Sequence, residues 1–292
     1  MAPRIFITGA TGNVGQAVLA HLVSLAPTYQ VVAGVRHPEQ ARRAAQALPT
    51  VSWVAFDFER PETFGPALAG VDRLFLLRPP QLADAKGTFG PLLQAMQHAG
   101  VQQVMFLSVQ GVERSSVIPH HQIERLIEQA GLAYIFLRPS YFMQNLSTTL
   151  GEDLRQRREI VLPAGKARFN WVDVDNIGEV AAHLLLDFEA HQGQKPDITG
   201  YETMDFHAVV EQLNQVLTHP VRYRPVNPLH FWWIKRRAGL PHSFILVMLM
   251  LHFLPRFQSD PPLSTVYEQL TGKKPTPLLA FLAREKDQLQ AS

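Results

Sequence analysis

Three observations predict an α/β fold in which a parallel sheet is wound by helices on both faces. Short apolar, β-rich runs recur at Arg4–Thr8, Gln30–Val35, Val51–Phe56, Arg73–Leu77, Gln103–Leu107 and Ala133–Leu137, each separated from the next by helix-like sequence or a turn. The first run passes through Thr8-Gly9-Ala10-Thr11-Gly12-Asn13-Val14-Gly15 directly into Gln16–Leu22, which reads as a helix. The 292 residues are 46% hydrophobic and 18% charged, enough for a sizeable core and long for one average domain. Together these predict a Rossmann-type doubly wound sheet followed by a smaller, mostly helical C-terminal region.

The elements carry their own punctuation. Pro38 and Pro61 suit first helical positions, and Gly100 and Gly131 stand where a helix stops just before the next strand. A late short strand is expected near Pro196–Thr199, and Asp173–Leu184 reads as a capped amphipathic helix returning to the first domain. From about Gly200 the pattern is helical and broken by prolines, with segments at Asp205–Leu217, Pro228–Arg237, Ser243–Leu254 and Ser264–Leu270. The expected division is residues 1–150 with 172–199 as the nucleotide-binding domain, and 200–292 with 151–171 as a substrate-binding region. The apolar stretch around Trp232 and Phe244–Leu254 is read as core packing of that region, with a substrate-pocket lid or a subunit interface, hence a homo-oligomer, as the other readings.

Bulk numbers narrow the function. A net charge of +2 does not call for nucleic acid, and short basic runs such as Arg155–Arg158 and Lys235–Arg237 read as solvated helix faces. With no cysteine there is no disulfide, thiol catalysis or Cys-ligated metal, which fits a reducing cytoplasm. The first strand begins almost at Met1, so a signal peptide is not expected, and the strongest apolar stretch, eleven residues from Phe244 to Leu254, is too short to span a membrane. No GxSxG elbow appears, which argues against a serine hydrolase.

The glycine-rich turn carries the most specific chemistry. In strand–turn–helix context, Gly9 turns the chain, Gly12 lets backbone N–H groups approach a pyrophosphate, and Gly15 lets helix and strand pack closely. Thr11, Asn13 and Val14 add donors at the helix N-terminus, where the dipole favours an anion. About twenty residues on, where an NAD site places a carboxylate for the ribose, the sequence has Arg36 and no acid from Val31 to Pro38. A guanidinium there can clamp a 2′-phosphate, which favours NADP(H); its ordinary reading is a solvated strand end. Asp57-Phe58 follows the third strand, where a carboxylate can meet the adenine amino group and a ring can cover the base, although such an Asp is commonly a turn residue.

Leu77-Arg78 closes the fourth strand and Ser108 the fifth, at carboxyl ends that line a ligand crevice in a doubly wound sheet. His120-His121 opens the helix before the sixth strand; either can bond a ribose or protonate a substrate oxygen, or simply cap the helix. No metal site is expected, because adjacent helical histidines point about 100° apart and nothing completes a ligand set. Pro139, Tyr141, Phe142 and Asn145 leave the sixth strand, where aromatic and amide groups can surround a flat nicotinamide or substrate.

These stretches together resemble the NmrA-like group of atypical short-chain dehydrogenases/reductases. The resemblance rests on Thr8–Gly15, Val35-Arg36, Asp57, the His120/His121–Glu124 helix, Gly131–Pro139, Phe142–Asn145, Val172–Ile177 and Leu270–Pro275. It implies a Rossmann domain, a small C-terminal substrate region and bound NADP(H), in a group that includes quinone and dye reductases, isoflavone reductase relatives and non-enzymatic redox-sensing regulators. The Tyr-x-x-x-Lys pair of typical short-chain dehydrogenases is missing beside the fifth strand, and alignment on Gly131–Tyr134 sets His120 where the isoflavone reductase-like pattern carries its lysine. The resulting expectation is an NADPH-dependent oxidoreductase passing hydride to a flat electron-poor small molecule such as a quinone or conjugated carbonyl. His120 handles the proton, with Ser108 beside it at the nicotinamide; Tyr141, Phe142 and Asn145 form the facing wall, and the Trp232–Leu254 region closes the acceptor pocket. A cofactor-sensing regulator is the alternative.

Overall fold

The computed structural model describes residues 3–26 and 28–290. Packing divides the chain into two units, the first comprising residues 1–139, 174–198 and 266–273, and the second 140–173, 199–265 and 274–292.

In the first unit β1 (Arg4–Ile7), β2 (Gln30–Val35), β3 (Ser52–Ala55), β4 (Arg73–Leu77), β5 (Gln103–Leu107) and β6 (Ala133–Pro139) fall close to the expected runs. They pair in the order β3-β2-β1-β4-β5-β6, and the predicted late strand, β10 (Asp197–Ile198), extends the sheet beside β6. All these pairings are parallel. The strand order reverses between β1 and β4, the switch point at which open sheets of this kind take ligands. Past their first residues the central strands are apolar because helices cover both faces: α1 (Asn13–Leu25), α2 (Pro38–Ala44), α3 (Phe64–Leu68), α4 (Ala85–Ala99) and α5 (Pro119–Gln129) alternate with them. Pro38 heads α2, whereas Pro61 heads a short 3₁₀ turn that precedes α3. Gly100 and Gly131 end α4 and α5 with φ of 77° and 70°, the left-handed stop that glycine adopts without strain.

Residues 174–198 return to this unit as α6 (Val174–Leu186), α7 (Phe188–His191) and β10. A Cβ on Gly178 of α6 would lie 2.6 Å from the Ala17 backbone, so α6 seats against α1 closely enough to exclude any side chain. The expected division needs correction at two places. Residues 140–150 belong to the second unit, because Met143, Leu146 and Leu150 bury in its core. Residues 266–273, carrying α11 (Val266–Thr271), belong to the first: Tyr267 donates a 2.6 Å hydrogen bond to Glu179 of α6, and Lys273 pairs with the same carboxylate at 2.7 Å.

The second unit is also less helical than expected. β7 (Tyr141–Phe142) runs parallel to β9 (Phe169–Val172), and β11 (Thr203–Met204) pairs antiparallel on the other side of β9. β8 (Glu159–Leu162) pairs parallel with β12 (Arg222–Pro225). β12 reads Arg-Tyr-Arg-Pro, too short and polar to announce itself, yet it obeys the two-residue alternation of a strand. Arg222 and Arg224 both reach Glu159, while Tyr223 packs near Phe206 at 5.6 Å between ring centroids. The expected helices do form, as α8 (Phe206–Val216), α9 (Pro228–Arg237) and α10 (His242–Phe253), joined by α12 (Leu278–Arg284) and α13 (Lys286–Gln290). Their core gathers Trp171, Phe206, Phe231 and Phe281, each fully buried.

The tightest approach to backbone in the first unit sits at Gly15, where an added Cβ would stand 2.2 Å from the Gly9 carbonyl oxygen and 2.8 Å from Ala10 Cα. Neither backbone atom can move aside without displacing the turn from the end of β1. Gly15→Ala is expected to lose about 1–3 kcal/mol of stability in urea unfolding, the usual cost of overpacking.

Candidate functional site

The parallel strands all end at one edge of the first unit's sheet, and most of the residues singled out from the sequence lie there. The loop after β1 is anchored by Thr8, whose backbone N–H donates to the Phe75 carbonyl at 3.0 Å and whose hydroxyl accepts from the Leu77 N–H at 2.8 Å. Thr8 was not singled out as a site residue, because its contribution is this tether rather than a ligand contact. Gly9 has φ of +62°, and a Cβ there would also press on Leu77 at 3.0 Å. Gly12 caps α1 with ordinary φ of −84° and no side-chain hydrogen bond, so the first-turn N–H groups keep their donors. Thr11, Gly12 and Asn13 are exposed, whereas Val14 is buried and can offer only its backbone N–H.

At the end of β2, Arg36 is exposed and lines an open depression of about 520 Å³ with His37, Pro38, Glu39, Gln40 and Arg43. Arg42 pairs with Glu39 at 2.5 Å, but neither Arg36 nor Arg43 has an acidic partner among the described residues. Arg43 was missed in the sequence, since only the turn of α2 brings it beside Arg36. After β3, Asp57 accepts from the Glu59 N–H at 3.0 Å, the ordinary turn role of an Asp. Phe58 corrects its expectation: its ring is buried 5.0 Å from Phe56 and 5.4 Å from Phe89, part of the core instead of a cover for a base.

Arg78, at the end of β4, folds back on its own loop. One of its terminal nitrogens donates to the carbonyls of Pro79, Pro80 and Leu82 at 3.0, 3.1 and 2.8 Å, while its buried Nε has no partner. At the end of β5 Ser108 is buried, its N–H donating to Leu137 O at 2.8 Å and its hydroxyl left without a partner. His120, in the first turn of α5, packs 6.0 Å from the Phe106 ring. Burial, reinforced by the nearby Arg78 charge, pushes its pKa down to about 3, so the imidazole is neutral at physiological pH. His121 is half-buried. Pro139 is buried at the end of β6 with its carbonyl accepting from Gln110 at 2.9 Å, and the neighbouring Arg138 is locked on Glu124 at 3.0 and 2.7 Å.

Tyr141, Phe142 and Asn145 lie in the second unit. Tyr141 is buried in its core, with its ring 4.8 Å from Trp171 and 5.0 Å from Phe169. His252 Nδ1 faces the Met248 carbonyl at 2.7 Å and must carry the proton, so Nε2 accepts from the Tyr141 hydroxyl at 2.9 Å. Burial pushes His252 down to about 4 and holds the Tyr141 hydroxyl well above its ordinary pKa, with Asn145 also bonded to it. The phenolic proton is therefore committed within the core, which corrects the expectation of Tyr141 as a catalytic group. His252 was unreadable as its partner across a separation of 111 residues. Phe142 and Asn145 remain half-buried.

Among the described residues no cluster of acids and histidines suits a metal ion, and no helix is long and apolar enough to cross a membrane. What the first unit does suit is a dinucleotide phosphate: an uncapped helix start beyond a glycine turn, two guanidiniums without acids, and a buried hydroxyl with an unspent hydrogen bond.

Sheet order and switch-point loop together define a dinucleotide-binding α/β protein of the Rossmann type. The chain belongs to the NmrA-like family, whose model matches residues 1–264. It is similar to an NAD(P)H azoreductase of Xenophilus azovorans, 26% identical over 255 residues and covering 86% of each chain. Its fold matches that of the Citrobacter sp. triphenylmethane reductase complexed with NADP(H), with a TM-score of 0.83 at 24% identity over 96% of this chain and 99% of that one. It also matches the NADPH-dependent quinone oxidoreductase of Escherichia coli complexed with NADPH, with a TM-score of 0.82 at 21% identity over the same shares.

Two measurements follow from this geometry. Arg36→Ala should remove about 1.5–3 kcal/mol of the preference for NADPH over NADH, the worth of a charge-assisted bond, in parallel calorimetric titrations. Equal wild-type affinities for the two cofactors would remove the phosphate from this site. Gly12→Ala should keep its fold, since its Cβ would meet only the Gly9 carbonyl at 3.3 Å, yet bind NADPH more weakly.

His120 and His252 also set an acid-side trend. Their native pKa values, about 3 and about 4, lie below the 6.5 of the free side chain, so the unfolded chain binds more protons. Stability should fall as pH drops below about 6.5, and continue to fall towards the native values. His120→Asn should flatten part of that slope in urea titrations at successive pH values; an unchanged slope would deny His120 its neutral state.

Proposed function

We propose that the protein is an NADPH-dependent oxidoreductase that reduces flat, electron-poor small molecules such as quinones and conjugated carbonyls. The observation that carries the reading is the unpartnered buried hydroxyl of Ser108 at the end of β5, together with a neutral His120 in the first turn of α5. The names of the similar proteins support the acceptor class, because azo dyes, triphenylmethane dyes and quinones are all conjugated molecules.

Bound NADPH supplies the hydride. The remaining work belongs to the chain. The N–H groups at the start of α1 hold the pyrophosphate, and Arg36 with Arg43 holds the 2′-phosphate. Asp57, Leu77, Arg78, His121 and Pro139 of the first unit are proposed to border the cofactor. Ser108 and His120 donate hydrogen bonds to the acceptor oxygen, on which negative charge grows as hydride arrives. A histidine with a pKa near 3 is a hydrogen-bond donor at neutral pH instead of an imidazolium acid, so water delivers the proton.

His120→Ala should therefore lower turnover of a quinone panel by about 10² or more while NADPH affinity changes little. Between pH 5.5 and 8 the wild-type rate should show no titration near 6.5; a rate that falls as a group of that pKa loses its proton would restore the imidazolium. His121→Ala, measured in parallel, should retain most of its rate. A protein that binds NADPH tightly but turns over none of the quinone and azo acceptors would instead be a cofactor sensor.

A further inference from the structure

The pair α9–α10 presents an apolar surface that its own core leaves unused. α10 buries one stripe, Ile245, Met248 and His252, against the second unit's core. Phe244, Leu246, Val247, Met250, Leu251 and Leu254 stand on the remaining faces, each between 38% and 49% exposed. A helix that is apolar all round belongs in an apolar surrounding, yet much of this one faces water. α9 continues the surface, with Leu229, Trp232 and Trp233 exposed at the spacing of one helical face.

The charge around this patch has one sign. From Gln212 to Ser259 the sequence has no Asp or Glu and six Lys or Arg residues. Three of those are already matched by acids from elsewhere in the unit, Arg222 and Arg224 by Glu159 and Lys235 by Asp153. Arg236, Arg237 and Arg256 have no acidic partner among the described residues, and the Arg237 guanidinium lies 4.3 Å over the exposed Trp233 ring. Exposed aliphatic side chains bordered by tryptophan and unmatched arginine are the composition of a surface that lies at a lipid–water boundary. α10 is twelve residues long, about 18 Å, well short of the ~30 Å needed to span. A second copy of this chain is a poorer occupant, because a two-fold contact would bring the same unmatched arginines together.

We propose that the α9–α10 face docks on the surface of an anionic lipid bilayer, with α10 lying in the interface and the arginines on the headgroups. This binding is independent of the oxidoreductase reading, and its test reads no turnover. Purified protein is sedimented with neutral phosphatidylcholine vesicles and with vesicles containing about one third phosphatidylglycerol. Binding should occur to the anionic vesicles, weaken as salt rises, and shift the emission of Trp232 and Trp233 to the blue. Leu246→Gln/Leu251→Gln and Arg236→Gln/Arg237→Gln should each weaken it about tenfold or more, with melting curves matching wild type to exclude unfolding. No sedimentation with anionic vesicles at low salt would overturn the proposal, as would equal binding by the variants. A dimer in light scattering that Leu246→Gln/Leu251→Gln dissolves, without vesicle binding, would assign the face to a second copy.

Discussion

The close seating of α1 at the end of β1 is the constraint on which the nucleotide edge depends. Gly15 allows the helix to touch the Gly9 carbonyl, and Gly178 lets α6 come down on the other side of α1 at Ala17. With α1 fixed from both directions, its open N-terminus is aimed across the switch point between β1 and β4. Thr8 completes the arrangement by tying the loop to β4, so the loop, α1 and the adjacent strand form one rigid frame.

Both units pair most of their buried polar groups and leave a few open. In the second unit Tyr141 is bonded to His252, His252 to Met248, and the buried Asp173 to Arg284 and Gln144, while Ser140 Oγ and Gln212 Oε1 stay buried without a partner. Closed networks of this kind fix a core. In the first unit the Ser108 hydroxyl and the Arg78 Nε are buried without partners, and Arg36 and Arg43 lack acids. Leaving a buried donor unmet costs free energy that folding alone does not recover, which is why such groups concentrate where a ligand completes them.

Burial also changes what the histidines can do. His120 and His252 are both held neutral, but His252 has a tautomer fixed by two protein partners, whereas His120 sits in the first turn of α5 near the Arg78 guanidinium. The same residue type is thus bonded on both nitrogens in one unit and set beside a guanidinium in the other. The difference lies in the neighbours.

The parallel sheet, the nucleotide loop and the place of Arg36 were legible in the sequence because they depend on local pattern: apolar runs, glycines at a spacing of three and punctuating prolines. The same local signals located His120 and Ser108 at strand and helix ends. Contacts between distant segments were not legible. Phe58 turned into the core because Phe56 and Phe89 converge on it, and Tyr141 lost its free hydroxyl to a histidine brought from 111 residues away. β12 had no apolar run to announce it, and Glu159 gives its arginines a partner only once β8 lies beside it. Local sequence therefore determined the frame and the nucleotide loop, whereas burial and charge pairing, which depend on which segments meet, were decided by the tertiary structure alone.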